Sequence, residues 1–187
     1  MRKTKATVAF ATLVLATAAL AADVGGVKLD DKASVGGQEL VLNGAGVRTR
    51  AVFKVYVGSL YVPAKAGTLD AVLAKAPRRI QLNLLRNLSG DQLSDAVNDG
   101  IKDNNTPAEV AAVKPQTDQF IAMTKAFGEL KEGSVITLDY IDGGTKVAFD
   151  GVAKGTLAGE AFNRALTKIW LGDNPVQADL KKAMLGG

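Results

Sequence analysis

The chain has 187 residues, with 23 Lys and Arg against 19 Asp and Glu, a net charge of +4, and neither His nor Cys. Without those two residue types a Ser-His-Asp or Cys-His mechanism is excluded, no disulfide can form, and the commonest ligands of zinc, copper and haem are missing. No clustered spacing of carboxylates, Met or Tyr replaces them, so no metal and no cofactor is expected.

Arg2, Lys3 and Lys5 open the chain, and residues 6–20 carry no charge. Ala19-Leu20-Ala21 sets small residues at the two positions a signal peptidase reads, and Asp23 follows. This three-part pattern predicts a signal peptide over residues 1–21, cleaved near Ala21, and a periplasmic or secreted protein. The apolar run is shorter than the roughly 20 residues a membrane-spanning helix needs. No later stretch is long enough either, so no transmembrane anchor is expected after cleavage. Three of the 23 basic residues lie in the leader, which leaves 20 against 19 acids. A nearly neutral mature chain gives no reason to expect nucleic acid as a partner. Residues 22–187 have the length of one domain, able to bury a core without staples.

Residues 27–29 and 38–43 read as short strands around a Gly36-Gly37 turn, and Asn43-Gly44 as a hairpin signal. Residues 47–62 are the most strand-like stretch, rich in Val, Phe and Tyr and broken only by Gly58-Ser59. Alternation sets Arg48, Arg50, Val52, Lys54 and Tyr56 on one face. Val47, Thr49, Ala51, Phe53, Val55 and Val57 share the other, and one bulge at Gly58 would be enough to switch faces before Tyr61. Residues 68–76 predict a helix capped by Thr68 and stopped by Pro77. Residues 79–85 alternate as a strand. Ser89 and Gln92 form a capping box opening a helix to about residue 104. Thr106, Pro107 and Glu109 start another, which Pro115 kinks or splits and residues 116–130 continue. A hairpin follows, with strands 134–141 and 146–149 joined across Asp142-Gly143-Gly144. Asp150-Gly151 turns into a strand over 152–156. Residues 159–170 form an amphipathic helix and 176–185 a last short one. Antiparallel hairpins beside helices argue an α+β domain.

Four groups of residues bear on function. Gly44-Ala45-Gly46-Val47-Arg48 leads into a strand, not into a helix N-terminus, so it is not expected to cradle a phosphate. Gly46 suits a turn or bulge there. Arg48, with Tyr56 and Tyr61, is the second group. On a half-buried face the guanidinium needs a carboxylate of the protein or of a ligand; on a solvated face the arginines meet water and the tyrosines fill the core. Trp170 is expected as a core anchor more than as a ligand-stacking ring, with Gly172 as the helix C′ cap. Asn98, Asn104 and Asn105, with Asp95 and Asp99, read as a solvated face from which one Asn can turn to a pocket.

Three motifs stand in a characteristic order: Gly44-Ala45-Gly46-Val47-Arg48; Lys54-Val55-Tyr56-Val57-Gly58-Ser59-Leu60-Tyr61-Val62; and Ile169-Trp170-Leu171-Gly172-Asp173-Asn174-Pro175. Together they resemble the bacterial chalcone isomerase-like proteins, a branch of the chalcone isomerase superfamily, over about residues 27–186. The resemblance implies an open-faced β-sandwich: a large antiparallel sheet covered by a layer of helices, with a cleft between them. In plant chalcone isomerases an Arg at this position helps hold the substrate, while Tyr, Thr and Asn side chains and a water assist ring closure. Related plastid members bind fatty acids, an Arg and a Tyr gripping the carboxylate. Arg48 matches the Arg, Tyr56 best matches the Tyr, and Tyr61 is the fallback. The isomerase's catalytic Lys-to-Tyr-to-Asn segment has no counterpart in residues 79–104, which lack Tyr, so no catalytic residue is named.

The expectation is an exported, non-catalytic module that binds a small apolar or carboxylate-bearing ligand, such as a fatty acid, without a cofactor. A cofactor-free isomerase of a chalcone-like or other enone, and an envelope protein-interaction module, are the alternatives.

Overall fold

The computed structural model describes residues 22–74 and 76–187; the expected signal peptide, residues 1–21, lies outside the described residues. The chain begins with β1 (Ala22–Val24), β2 (Val27–Leu29), β3 (Lys32–Val35), β4 (Gln38–Arg50) and β5 (Phe53–Val62). Then come α1 (Leu69–Leu73), β6 (Arg78–Leu84), β7 (Leu88–Ser89), α2 (Gly90–Asn104), α3 (Pro107–Ala112), α4 (Lys114–Lys125) and β8 (Glu129–Leu130). β9 (Val135–Ile141), β10 (Gly144–Phe149), β11 (Val152–Ala158), α5 (Glu160–Leu171) and α6 (Ala178–Met184) complete it. None of the described helices is long and apolar enough to cross a membrane.

Seven strands pair in the order β11-β10-β9-β6-β5-β4-β3, every contact antiparallel. The two small pairs β1-β2 and β7-β8 stand apart from this sheet. Period-two alternation gives the sheet two unlike faces. Leu60 and Val62 of β5, Ile80, Leu82 and Leu84 of β6, and Ile136 and Leu138 of β9 are buried on one of them. Onto that face pack Leu93, Val97 and Ile101 from α2, Phe120 from α4, and Phe162, Leu166, Ile169 and Trp170 from α5. Their spacing of three and four residues is the apolar stripe of an amphipathic helix. Each such side chain contributes about 1.5–3 kcal/mol of burial, which is why one covered face suffices to hold the sheet without disulfides. The opposite face carries only a small cluster of Val35, Leu40, Tyr61 and Ile141. The result is an α+β domain, a curled seven-stranded antiparallel sheet with helices on one side.

Local signals hold where a cap or a turn residue sets the boundary. Ser89 with Gln92 and Thr106 with Glu109 both form complete capping boxes, and Thr68 caps α1. Pro115 separates α3 from α4, which ends at Lys125 and not near 130 because Gly128, at φ +66°, turns the chain into β8.

The structure departs from the sequence reading along residues 43–62. There is no hairpin at Asn43-Gly44: β4 runs straight through, with Asn43 as an extra residue between the Leu42–Tyr61 and Gly44–Leu60 pairs. The turn comes instead at Ala51-Val52, so residues 47–62 form two antiparallel strands and not one. Ala51 takes φ +53° there, a conformation that usually selects Asn or Gly. A second bulge falls at Val55, between the Thr49–Lys54 and Arg48–Tyr56 pairs, and none at Gly58. Gly44 and Gly46 serve neither turn nor bulge. They lie inside β4 beneath α6, where a Cβ on Gly44 would stand 2.0 Å from the Ala183 carbonyl oxygen. On Gly46 it would stand 2.9 Å from the Ala183 Cβ. Gly172 also differs from the expected left-handed cap, with φ −73°. It is small because Asn104 Oδ1 and the Lys168 carbonyl would each lie 2.5 Å from its Cβ.

Candidate functional site

A cleft of about 880 Å³ opens between the β4-β5 hairpin and α2, flanked by residues 174–176. Phe53, Val55, Leu88, Leu93 and Val176 supply apolar wall. Among the polar residues facing it from the sheet are Arg48 and Tyr56, and the strands place them directly opposite one another. They meet because β4 and β5 form a tight hairpin whose bulge at Val55 advances Tyr56 by one position; an unbulged ladder would set Val55 across from Arg48.

Arg48 is half-buried and held from two sides. Its Nη1 donates to the Thr49 carbonyl oxygen and, at 3.3 Å, to Gln177 Oε1. Gln177, the N-cap residue of α6, accepts from the Thr49 amide at 2.8 Å and donates from Nε2 to the Val47 carbonyl at 3.2 Å. One side chain from the end of the chain thus fixes the guanidinium and the strand beneath it. A guanidinium has five N–H donors in a fixed fork. Among the described residues only Nη1 is engaged, so Nε and Nη2 remain for an incoming acceptor.

Tyr56 is set from the other direction. Trp170, 3 % exposed, donates its indole N–H to the Tyr56 hydroxyl oxygen at 2.9 Å. The core-anchor reading of Trp170 therefore holds, with a polar duty added. Burial pushes the Tyr56 pKa from 10.0 up to about 12, and it outweighs the opposing pulls of the Trp170 hydrogen bond and the Arg48 charge. The phenol is neutral at physiological pH. Its oxygen accepts from Trp170, so its own proton, which has no acceptor among the described residues, is available to the cleft. An arginine fork and a phenol proton on one wall, with apolar surface beside them, are donors of the kind that can engage a carboxylate.

Charge is distributed asymmetrically around the mouth. Asp95, Asp99 and Asp103 line the α2 side, and their four-residue spacing makes them one ridge. Arg50 and Arg86 line the strand side, and the Arg86 guanidinium lies 4.9 Å from the Phe53 ring centre.

Tyr61 does not line the cleft. Ordinary alternation from Tyr56 puts it on the opposite sheet face with Val35, Leu40 and Ile141, because no bulge at Gly58 intervenes. Its hydroxyl donates to the Asp30 carbonyl at 3.0 Å, and burial is the first cause of its raised pKa. Of the asparagines, Asn104 borders the cleft but is committed. Its Nδ2 donates to the Gly100 and Asn174 carbonyls, and its Oδ1 accepts from the Asn174 amide. Asn105 ties α2 to α5 through the Ile101 and Ala165 carbonyls. Gln177 went unnoticed in the sequence because nothing local marks a residue that acts 129 positions away. Asp103 and Arg86 were also passed over; the recurrence of Asp at 95, 99 and 103 is a periodic signal that reveals the first of them.

The fold has a known counterpart. The crystal structure of a fatty-acid binding protein from Arabidopsis thaliana superimposes with a TM-score of 0.67, covering 86% of this chain and 92% of that one at 17% sequence identity, a likeness of fold. No curated protein matches the chain. A family model described as chalcone isomerase-like matches residues 21–186, nearly the whole chain from the first described strand to the last glycines, and the protein belongs to that family.

Proposed function

We propose that the protein is a non-catalytic carrier or receptor for a small amphipathic carboxylate, with a fatty acid as the fitting class, bound in the β4-β5/α2 cleft. The observation that carries this reading is the cross-strand pair of Arg48 and Tyr56, each held from behind and each with donors to spare toward the cleft. Arg48 supplies charge and a bidentate fork, Tyr56 a neutral donor, and Phe53, Val55 and Leu93 the surface for the chain of the ligand. The Arabidopsis fatty-acid binding protein of the same fold supports the choice of ligand class. The leader over residues 1–21 supports action outside the cytoplasm, after cleavage near Ala21.

The cleft holds no His or Cys, and Tyr56, with its pKa pushed up to about 12, is a poor base at neutral pH. These features favour binding over ring-closing chemistry. The test is displacement of a fluorescent fatty acid by a saturated C16 acid. Arg48→Ala should weaken affinity by about tenfold or more. Equal affinity of the Arg48→Ala and parent proteins refutes the assignment. Turnover of a chalcone above the uncatalysed rate, lost in Arg48→Ala, would replace the reading with an isomerase.

A further inference from the structure

Among the described residues three large hydrophobic side chains are prominently exposed: Val52 at 84%, Phe53 at 57% and Val152 at 58%. Val152 is far from the adjacent Val52 and Phe53 in sequence, but all three lie at one end of the sheet. Tyr56 pairs with Leu84, Asn83 with Val135, and Ile136 with Phe149. The β4-β5 turn and the β10-β11 turn therefore project from the same end. Scattered exposed apolar residues need no explanation, but their concentration at one end does.

The β4-β5 tip is unusual in a second way. A two-residue hairpin loop with a positive φ favours Asn or Gly on stability grounds, and here it is Ala51-Val52, followed by Phe53. Around these sit Arg50, Lys54 and Arg86, all exposed and, among the described residues, none within ion-pair distance of a carboxylate. The acids at this end are placed differently. Asp150 is already engaged, accepting from Ser134 Oγ at 3.1 Å and the Val135 amide at 2.7 Å. Glu129 and Glu132 lie toward β8, and Asp95 and Asp99 stand on the far wall of the cleft.

We propose that this end of the molecule docks on an anionic lipid surface, with Val52 and Phe53 entering the interface and Arg50, Lys54 and Arg86 meeting the lipid phosphates. Apolar side chains flanked by unpaired cations are the combination that interfacial binding rewards, since buried area and charge add. Arg50, Ala51, Phe53 and Arg86 also border the cleft, so docking sets its mouth against the bilayer. The proposal does not require that the cleft hold a fatty acid.

The protein has no native cysteine, so a single one is a unique label. Val52→Cys in the full chain, carrying an environment-sensitive dye, is mixed with phosphatidylcholine vesicles with or without phosphatidylglycerol. A control carries the dye at Asp142→Cys, in the turn at the opposite end of the sheet. The expected result is a blue shift at position 52 and none at 142, requiring phosphatidylglycerol and reversed by salt. Phe53→Asp should abolish the shift in a version labelled at position 52. Gln at Arg50, Lys54 or Arg86 should each weaken vesicle partitioning about fivefold. Equal shifts at both positions, a shift independent of anionic lipid, or undiminished vesicle binding by Phe53→Asp would overturn the proposal. A shift produced by protein extract but not by vesicles would overturn it in favour of a protein partner.

Discussion

The helix-covered face of the sheet carries two arginine–tyrosine pairs, each directly opposed across neighbouring strands. Arg48 faces Tyr56 on β4 and β5, and Arg78 faces Tyr140 on β6 and β9. The same two side chains have opposite fates. Arg78 is 2% exposed; its Nε donates to Asn163 Oδ1 at 2.9 Å, its Nη1 to the Leu73 carbonyl at 3.3 Å, and its guanidinium lies 4.2 Å from the Tyr140 ring centre. Asn163 continues the network by donating to Thr145 Oγ1 at 3.0 Å. Burial is the first cause of the Arg78 pKa falling from 12.5 to about 10. Arg48 instead opens on the cleft with unused donors. Residue type and sheet position do not distinguish a site from a strut here; the covering element does. α5 brings Asn163 down over Arg78, whereas across from Arg48 α2 stands off from the sheet and leaves the cleft open.

The contrast is sharpest under truncation. Arg78→Ala should cost about 3 kcal/mol of stability, because the Leu73 carbonyl loses the guanidinium and the buried Asn163 oxygen is left with the Thr167 hydroxyl at 3.4 Å. The urea midpoint reads this, and the fraction still folded should bind ligand normally. Arg48→Ala should lose no more than about 1 kcal/mol of stability while losing most ligand affinity, since its site is already half open to water. If the two substitutions shift the midpoint equally, the distinction between strut and site fails.

The tyrosines sharpen it further. Tyr56→Phe removes the proton offered to the cleft and strands the Trp170 N–H, so we expect a fivefold to tenfold loss of affinity, or about 1 kcal/mol, together with a comparable loss of stability. Tyr140→Phe keeps the ring beneath Arg78 and should change stability by less than about 0.5 kcal/mol. Parallel titration calorimetry and thermal melts of the two variants test both statements.

The smallest expected effect is on pH dependence. The folded state holds the Tyr56 proton up to about 12, against 10.0 for an ordinary phenol. Above pH 10 the unfolded chain therefore releases that proton first. This contribution to stability is complete below pH 10 and is lost as pH rises toward 12. Tyr61, also raised, adds to the same slope. Urea midpoints between pH 9 and 11.5 should fall less steeply in Tyr56→Phe than in Tyr140→Phe; an equal slope would mean that Tyr56 titrates as in water.

Much of this fold is legible in the sequence because its signals are local. Ser89 and Gln92 define a helix start within four residues, and the alternation of Ile80, Leu82 and Leu84 defines a buried face. The β4-β5 turn is not legible, because Ala51-Val52 contains no turn-forming residue and its neighbours read as continuous strand. The shared face of Arg48 and Tyr56 was nevertheless anticipated, for an incidental reason. A single strand gives the two the same parity, and so does a hairpin with one bulge. Tyr61 shows the other side of this: a single bulge at Gly58 would have brought it to the Tyr56 face, and without one it stays on the opposite face. Gln177 and Asn163 act through contacts with residues 129 and 85 positions away, and separations of that size leave no mark in a local pattern.

The Gln177 clamp also has a bearing on biosynthesis. Arg48 lies early in the chain, but the side chain that fixes it is made only after α5, and Asn43 fastens α6 by donating to the Met184 carbonyl at 2.8 Å. A nascent chain that has emerged only through α5 lacks the Gln177 clamp on Arg48 and the helix that covers Gly44 and Gly46 of β4. Under the proposed binding function, ligand loading therefore waits until α6 has been made.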